Sequence, residues 1–290
     1  MTDPLDGRSY PAWSIGLAMG PSPLALAPVP GVASPVISRA QVTDVCAGFV
    51  ADPFLVRRSL PEEGWHMFFE VLNAATELGE IGLAESRDGL AWEYRRIVLR
   101  EPFHLSYPYV FAHAGEHYMI PESLEAGSIR LYRAASFPEG WEPVLDLIPG
   151  RFADPSLVQA EERWWLFACA ANGRHDTLHL FLADDLTGPW REHPQSPLIR
   201  GDAHRARPAG RLCRWQDRLF RFAQDCRPYY GRQVRAFEIL ELTPDRYRER
   251  EAPESPVLRP GEGWNASGMH HLDPHPDGER GWLAAVDGRG

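Results

Sequence analysis

The stretch Phe152-Ala153-Asp154-Pro155-Ser156-Leu157-Val158, followed after a polar turn by Trp164-Trp165-Leu166-Phe167-Ala168, decides how the whole chain is read. It is a short strand with an Asp-Pro at its head, a tight connection, and a second, more hydrophobic strand. The same layout returns around Asp52-Pro53, Tyr107-Pro108, Arg207-Pro208 and His270-His271. Self-similarity at about 40–50 residues or slightly more is the mark of propeller blades. Second strands align at 65–70, 117–122, 164–169, 219–225 and 282–287, and third strands at 79–84, 129–134, 178–183 and 234–239. Each third strand leads to a turn and then an aromatic (Trp92, Trp141, Trp190, Tyr247) that is expected to pack between neighbouring blades.

The fold class expected is therefore all-β, one five-bladed β-propeller. Blades one to four occupy 48–100, 104–149, 152–200 and 205–259, and blade five begins at 267. The fifth unit stops after its second strand at Val286-Asp287-Gly288, while 13–18 resembles a third strand. Ser34-Pro35-Val36-Ile37 carries a Ser-Pro-apolar signature shared with 196–199 and 255–258, which reads as a fourth strand. Residues 1–40 are thus expected to complete blade five, so that no long sheet edge stays open. The segment 21–35 reads as an extended crossover, and 74–82 as a hairpin loop rather than a helical turn.

Composition fits one such domain: 290 residues, 44% hydrophobic and 24% charged. With 30 basic against 40 acidic residues the net charge is −10, which argues against nucleic acid as partner and favours a neutral or cationic one. No run approaches the roughly 18 apolar residues of a membrane span. Met1-Thr2-Asp3-Pro4 opens no signal peptide, and Cys46, Cys169, Cys213 and Cys226 form no CxxC pair. Those features point to a cytoplasmic chain with reduced thiols, Cys213 and Cys226 being read as buried thiols.

In a propeller the first strands line the axis, so Asp52, Tyr107, Asp154, Arg207 and His270 or His271 should converge at one end. Second strands end in acids at Glu70, Glu122, Asp225 and Asp287, which must face the axis or pair with an arginine. Trp264, Tyr107, Tyr229 and Tyr230 are candidate platforms for a sugar ring, and Arg207 suits a carboxylate or phosphate. Each has a plainer reading. Asp-Pro is ordinary turn chemistry, Glu70, Glu122 and Asp225 could simply pair with arginines, and Asp287 reads as a turn residue.

Ala51-Asp52-Pro53-Phe54-Leu55 and Ala153-Asp154-Pro155-Ser156-Leu157 resemble the inner-strand motifs of the five-bladed glycoside hydrolases, that is family 43, the invertase and levansucrase group, and the neoagarobiose hydrolases. Phe68-Phe69-Glu70, His104-Leu105-Ser106-Tyr107-Pro108, Pro121-Glu122-Ser123, Arg207-Pro208-Ala209-Gly210 and Gly268-Met269-His270-His271 look most like the N-terminal propeller-like domain of plant glucosamine inositolphosphorylceramide transferases. The resemblance implies a small carbohydrate or glycoconjugate substrate, Asp52 as base or nucleophile, and Asp154 as an orienting acid. The family's acid Glu is not matched: Arg207 stands at the fourth head, and an always-charged guanidinium cannot donate a proton. Glu122 is then the first candidate for the general acid, with His270, His271, Glu70 and Asp225 behind it as acids or substrate contacts. No cofactor is expected beyond the axial calcium that such relatives often hold, and no metal site is read from the His270-His271 pair. A glycan-binding propeller without turnover, or a glycosyl-transferring or tailoring enzyme, remains the alternative.

Overall fold

The computed structural model describes residues 11–58 and 63–290, so Met1-Thr2-Asp3-Pro4 lies outside the described residues. Five antiparallel sheets stand around one axis. Blade one is Ala47–Arg57, Trp65–Asn73, Leu78–Ser86 and Glu93–Leu99, and blade two is Ser106–His113, Glu116–Glu122, Ser128–Ser136 and Glu139–Pro149. Blade three is Phe152–Ala160, Arg163–Ala170, Leu178–Ala183 and Arg191–Glu192. In blade four, Arg207–Pro208 and Cys213–Trp215 both pair with Arg218–Asp225, followed by Gln233–Leu242 and Tyr247–Glu251. Blade five takes Leu272–Pro276 and Trp282–Arg289 from the C-terminal end, and Trp13–Ser22 and Ala25–Pro28 from the N-terminal part. The ring is closed by eight consecutive pairs running from Trp13↔Arg289 to Gly20↔Trp282.

Second strands are covered on both faces by neighbouring blades, which is why they are apolar without alternation; every residue of Trp65–Asn73 is buried. The aromatics that close the third-strand turns fill the wedge between blades. Trp141 packs edge-on against Phe68 of blade one, and Tyr247 against Phe167 of blade three. The three tryptophans repeat one anchor, donating from Nε1 at 3.0 Å to the carbonyls of Gly89, Pro138 and Leu186.

Two expectations are corrected. The Ser-Pro-apolar signature is not a fourth strand: Ile37, Ile199 and Leu258 each make an isolated bridge to the first residues of a third strand, at Ile15, Leu178 and Val234. The true fourth strands precede it and are mostly solvent-facing, so an apolar pair could not mark them. Nor is 21–35 a plain crossover, since it contains a hairpin leading into Ala25–Pro28. That hairpin is tight enough that a Cβ on Gly20 would lie 1.9 Å from the Ala25 carbonyl oxygen.

Asp52, Tyr107 and Asp154 share one backbone device. Each precedes a proline, each sits at positive φ (52°, 48° and 52°), and each marks a β-bulge in the pairing with the second strand. A non-glycine residue at positive φ costs of order 1 kcal/mol or more and persists only where its surroundings hold it; here the bulge re-aims the side chain at the axis. Below these heads the axis is plugged. The Tyr107 hydroxyl meets Ser156 Oγ at 2.7 Å and the Gly210 carbonyl at 3.0 Å, and one layer further Arg211 pairs with Asp273 at 2.8 Å. Gly210 is required there, because a Cβ would fall 2.0 Å from the Leu272 oxygen. The axis is therefore blocked below the strand heads and is not a through-channel.

Candidate active site

Two side-chain clusters share the strand-head end of the axis. In the first, Asp154 accepts Arg207 Nε at 2.6 Å and Gln224 Nε2 at 2.7 Å on Oδ2, and Arg207 Nη2 at 3.2 Å on Oδ1. Arg207 Nη2 also reaches Glu122 Oε2 at 3.3 Å, and Nη1 meets His175 Nδ1 at 3.0 Å. The guanidinium carbon lies over the Tyr230 ring, 5.1 Å from its centroid. In the second cluster, Asp287 Oδ1 accepts the backbone N–H of both His270 and His271 at 3.0 Å, while Oδ2 accepts the Asp52 N–H at 3.1 Å and lies 2.6 Å from His270 Nδ1. Asp52 Oδ1 is 3.6 Å from His271 Nδ1 and 4.0 Å from His270 Nδ1. His271 is fully buried, with Phe54 and Tyr107 packed at its ring and no hydrogen-bond partner on either nitrogen.

A rule links the blades. Glu122 at the end of one second strand accepts the N–H of Asp154, the head of the next blade, at 3.0 Å, and Asp287 does the same for Asp52. Two of the three strained heads, Asp52 and Asp154, are thus pinned by acids from the preceding blade. Asp287 is no turn residue, as the sequence reading had it, but the fully buried hub of the second cluster. Asp225 is also corrected. Arg207 pairs with Gln224, so Gln224 faces the axis and Asp225, one residue on, points the other way. There it accepts His204 Nδ1, Gln233 Nε2, Arg235 Nε and the Arg227 N–H. Glu70 is engaged by His104 Nε2 at 3.0 Å, and Tyr107 belongs to the plug rather than to a sugar platform. Trp264 lies flat over Gly16 and Gly288, lining a separate pocket of about 340 Å³ with Leu17, Met269 and Val286. Arg207, expected to hold substrate, is bound to Asp154 and Glu122, with 13% of its side chain exposed.

The electrostatics follow from burial with too few cations. Asp52 is pushed well above the usual carboxylate range by burial, then by Asp287, Asp154, Glu70 and Glu122. Burial and the Asp154 carboxylate push Glu122 up to about 8 against the pull of Arg207, because one guanidinium serves two acids. Burial opposes ionisation of Asp287 too, but His270, His271 and the backbone donors overcome it and hold it low. Burial, helped by the neighbouring His270 and only partly offset by Asp287 and Asp273, drives His271 down to about 4, so its imidazole is neutral.

A pH profile of stability follows in sign. Glu122, pushed up to about 8, and Asp52, raised above its ordinary range, favour protons that the unfolded chain releases, so stability falls as pH rises from the ordinary carboxyl range, the Glu122 share being lost by about 8. His66 and His271, both held to about 4, refuse protons that the unfolded chain takes up below 6.5, so stability also falls on acidification. Each such group contributes a slope of roughly 1.4 kcal/mol per pH unit. Thermal unfolding should therefore show a maximum near about pH 6, and Glu122→Gln should flatten the alkaline side; a melting temperature still rising from neutral pH to about pH 8 would contradict these protonation states.

The resemblance to calcium-holding propellers can be tested on the donors. Asp52, His270 and Asp287 offer atoms within 4.8 Å of one another. Two carboxylates and an imidazole fall short of the six to eight oxygens calcium takes, and both Asp287 oxygens already accept backbone N–H groups. The trio does not fit calcium.

A profile of the family described as "Glucosamine inositolphosphorylceramide transferase 1, N-terminal" matches residues 7–289. The chain belongs to this family. Glucosamine inositolphosphorylceramide transferase 1 of Oryza sativa subsp. japonica is 37% identical over 301 residues, and that of Arabidopsis thaliana 34% over 299, each covering 96% of this chain. The chain spans about 40% of the length of these curated relatives. Among solved structures, a family 117 glycoside hydrolase of Zobellia galactanivorans shares the fold with a TM-score of 0.54 at 15% identity, covering 85% of this chain and 87% of its own. An exo-beta-1,3-galactanase from Clostridium thermocellum does so with a TM-score of 0.60 at 13% identity, covering 74% and 51%. Propeller, blade count and family are thus those implied by the sequence motifs. Among the described residues no helix is long and apolar enough to cross a membrane.

Proposed function

We propose that this propeller binds a sugar conjugate at the strand-head end of its axis and carries out acid–base chemistry on the glycosyl bond, with Glu122 as proton donor and Asp52 as proton acceptor. The observation that carries the reading is the acid excess: Asp52, Glu70, Glu122, Asp154 and Asp287 surround the site, with Arg207 pairing two of them. Such a site favours a cationic ligand. The relatives' name contains glucosamine, whose ammonium is such a cation, and an amino sugar is the ligand we assign.

The cation would also prepare the chemistry. An ammonium near Asp52 stabilises its charged form, so binding opposes the burial that favours its protonated form and promotes loss of the proton. Asp52 can then take a proton from water or from an acceptor hydroxyl, while Glu122 gives its own to the leaving oxygen, bond making and breaking being completed by transfer of the glycosyl group to that oxygen nucleophile. Asp154, with both oxygens held by Arg207 and Gln224, fixes Glu122 rather than reacting. The second reading, a binding propeller without turnover, is favoured by Arg207 standing at the fourth head. Incubation with aryl glycosides of neutral and amino sugars, with saturable binding measured in parallel, separates them. Release from amino-sugar glycosides is the expected result; saturable binding with no release supports the second reading, and the absence of both release and binding takes the axial site out of sugar chemistry.

A further inference from the structure

Among the described residues, Tyr229 and Val144 are the large hydrophobic side chains that stand exposed, Tyr229 at 43%. Val144 lies on the outer strand Glu139–Pro149 of blade two, so the two form no common apolar patch of the kind that marks a protein interface. Tyr229 has a different setting. It sits in the loop between Asp225 and Gln233, tied at both ends by Asp225: the Arg227 N–H donates to its Oδ1 at 3.1 Å, and the Arg232 N–H to its carbonyl at 3.2 Å. Gly231, at φ 69°, lets the loop press onto Trp13 and His270; a Cβ there would come within 2.9 Å of the Trp13 ring and 3.2 Å of His270 Cβ.

The two tyrosines of this loop divide. Tyr230 turns inward, 5.3 Å from the His270 ring and against Arg207. Tyr229 turns outward, and the Arg289 guanidinium lies 5.7 Å from its ring and 5.4 Å from that of Trp13. Trp13 in turn stacks on His270 at 3.9 Å with only 12° between the planes, and His270 reaches Asp287. An uninterrupted series of flat groups thus runs from solvent to the acids on the axis.

We propose that Tyr229, backed by Arg289 and Trp13, is an outer platform for a second sugar ring, so that the site recognises at least two linked sugar units. The inference rests on the carbohydrate reading of the axial site and deepens it. A tyrosine ring offers an apolar face to the C–H face of a pyranose, and its hydroxyl stays wet. Arg289 gives one N–H to the Ser267 carbonyl at 3.1 Å, and the rest of its donor fork is directed to ring hydroxyls. Because the loop is anchored by Asp225 and Gly231, the platform is held ready rather than ordered on binding.

The test uses the full chain on a glycan array of mono- and oligosaccharides, followed by calorimetric titration of the tightest-binding disaccharide and of the monosaccharide at its end seated on the axis. Wild type should prefer the disaccharide, and Tyr229→Ala should cut the ratio of the two affinities by a few-fold to about tenfold, with Tyr229→Phe keeping it. An unchanged ratio in Tyr229→Ala, or a wild type that binds both sugars equally, overturns the platform and leaves the axial reading standing. A wild type that binds no saccharide at all removes both.

Discussion

Arg207→Met should unfold the protein about 3–5 kcal/mol more readily than wild type, a loss read as a melting temperature lower by roughly 10 °C. The reason lies in what the guanidinium leaves behind. Asp154 is 1% exposed and Glu122 7%, and Arg207 is the cation that reaches both. Without it the Asp154 carboxylate keeps one side-chain donor, Gln224 Nε2, and faces a second acid across the Glu122 hydrogen bond to its own N–H. A methionine fills the volume but supplies no charge, so the effect isolates electrostatics from packing. Glu122→Gln in the same chain should restore part of the loss, because it removes one of the two uncompensated acids, and the two changes should be strongly non-additive. Arg174→Met, at 72% side-chain exposure, is the matched control and should stay within about 0.5 kcal/mol of wild type. If Arg207→Met melted like the control, the ion cluster would not be what holds the strand heads together.

Much of this was legible from periodicity alone. The Asp-Pro and Tyr-Pro heads, the apolar second strands and the turn aromatics repeat because every blade solves the same packing problem, and repetition survives loop-length variation. Closure of blade five by Trp13–Ser22 was visible because the C-terminal unit ends two strands short. What could not be read was register. Gln224 and Asp225 differ by one residue, and one residue decides which face a side chain takes; composition favours the acid, whereas pairing with Arg207 puts Gln224 on the axis. Asp287 was misjudged for a related reason. Near a chain end followed by Gly288 it has the local signature of a turn, and only pairing with the N-terminal strand, which gives Trp282–Arg289 a neighbour on each side, makes it a buried residue of an inner strand. Arg207 was singled out as the departure from the glycoside hydrolase pattern, but its partners come from blades two and three, at separations of 85 and 53 residues, beyond the reach of any local motif.

Asp52→Asn should lower turnover of an amino-sugar glycoside by about 100- to 10,000-fold, the usual worth of a positioned acid–base group, without loss of stability. The two halves of that expectation have separate causes. Asparagine tolerates the positive φ of 52° as well as aspartate does, and the N–H that Asp287 holds is unchanged. Moreover, burial and the neighbouring acids raise Asp52 well above the ordinary carboxylate range, so a neutral amide imitates the protonated form that the fold favours and spares the cost of keeping a buried acid protonated as pH rises. Stability at about pH 8 should therefore match or exceed wild type. What the amide cannot do is ionise when an ammonium arrives, so both proton acceptance and the attraction for a cationic sugar are lost together, whereas a neutral sugar of the same shape should bind nearly as before. Asp154→Asn makes the contrast: it leaves Arg207 with one acid fewer and should cost stability first. Equal turnover in Asp52→Asn and wild type would take Asp52 out of the chemistry, and equal loss of stability in Asp52→Asn and Asp154→Asn would mean that both acids serve the fold.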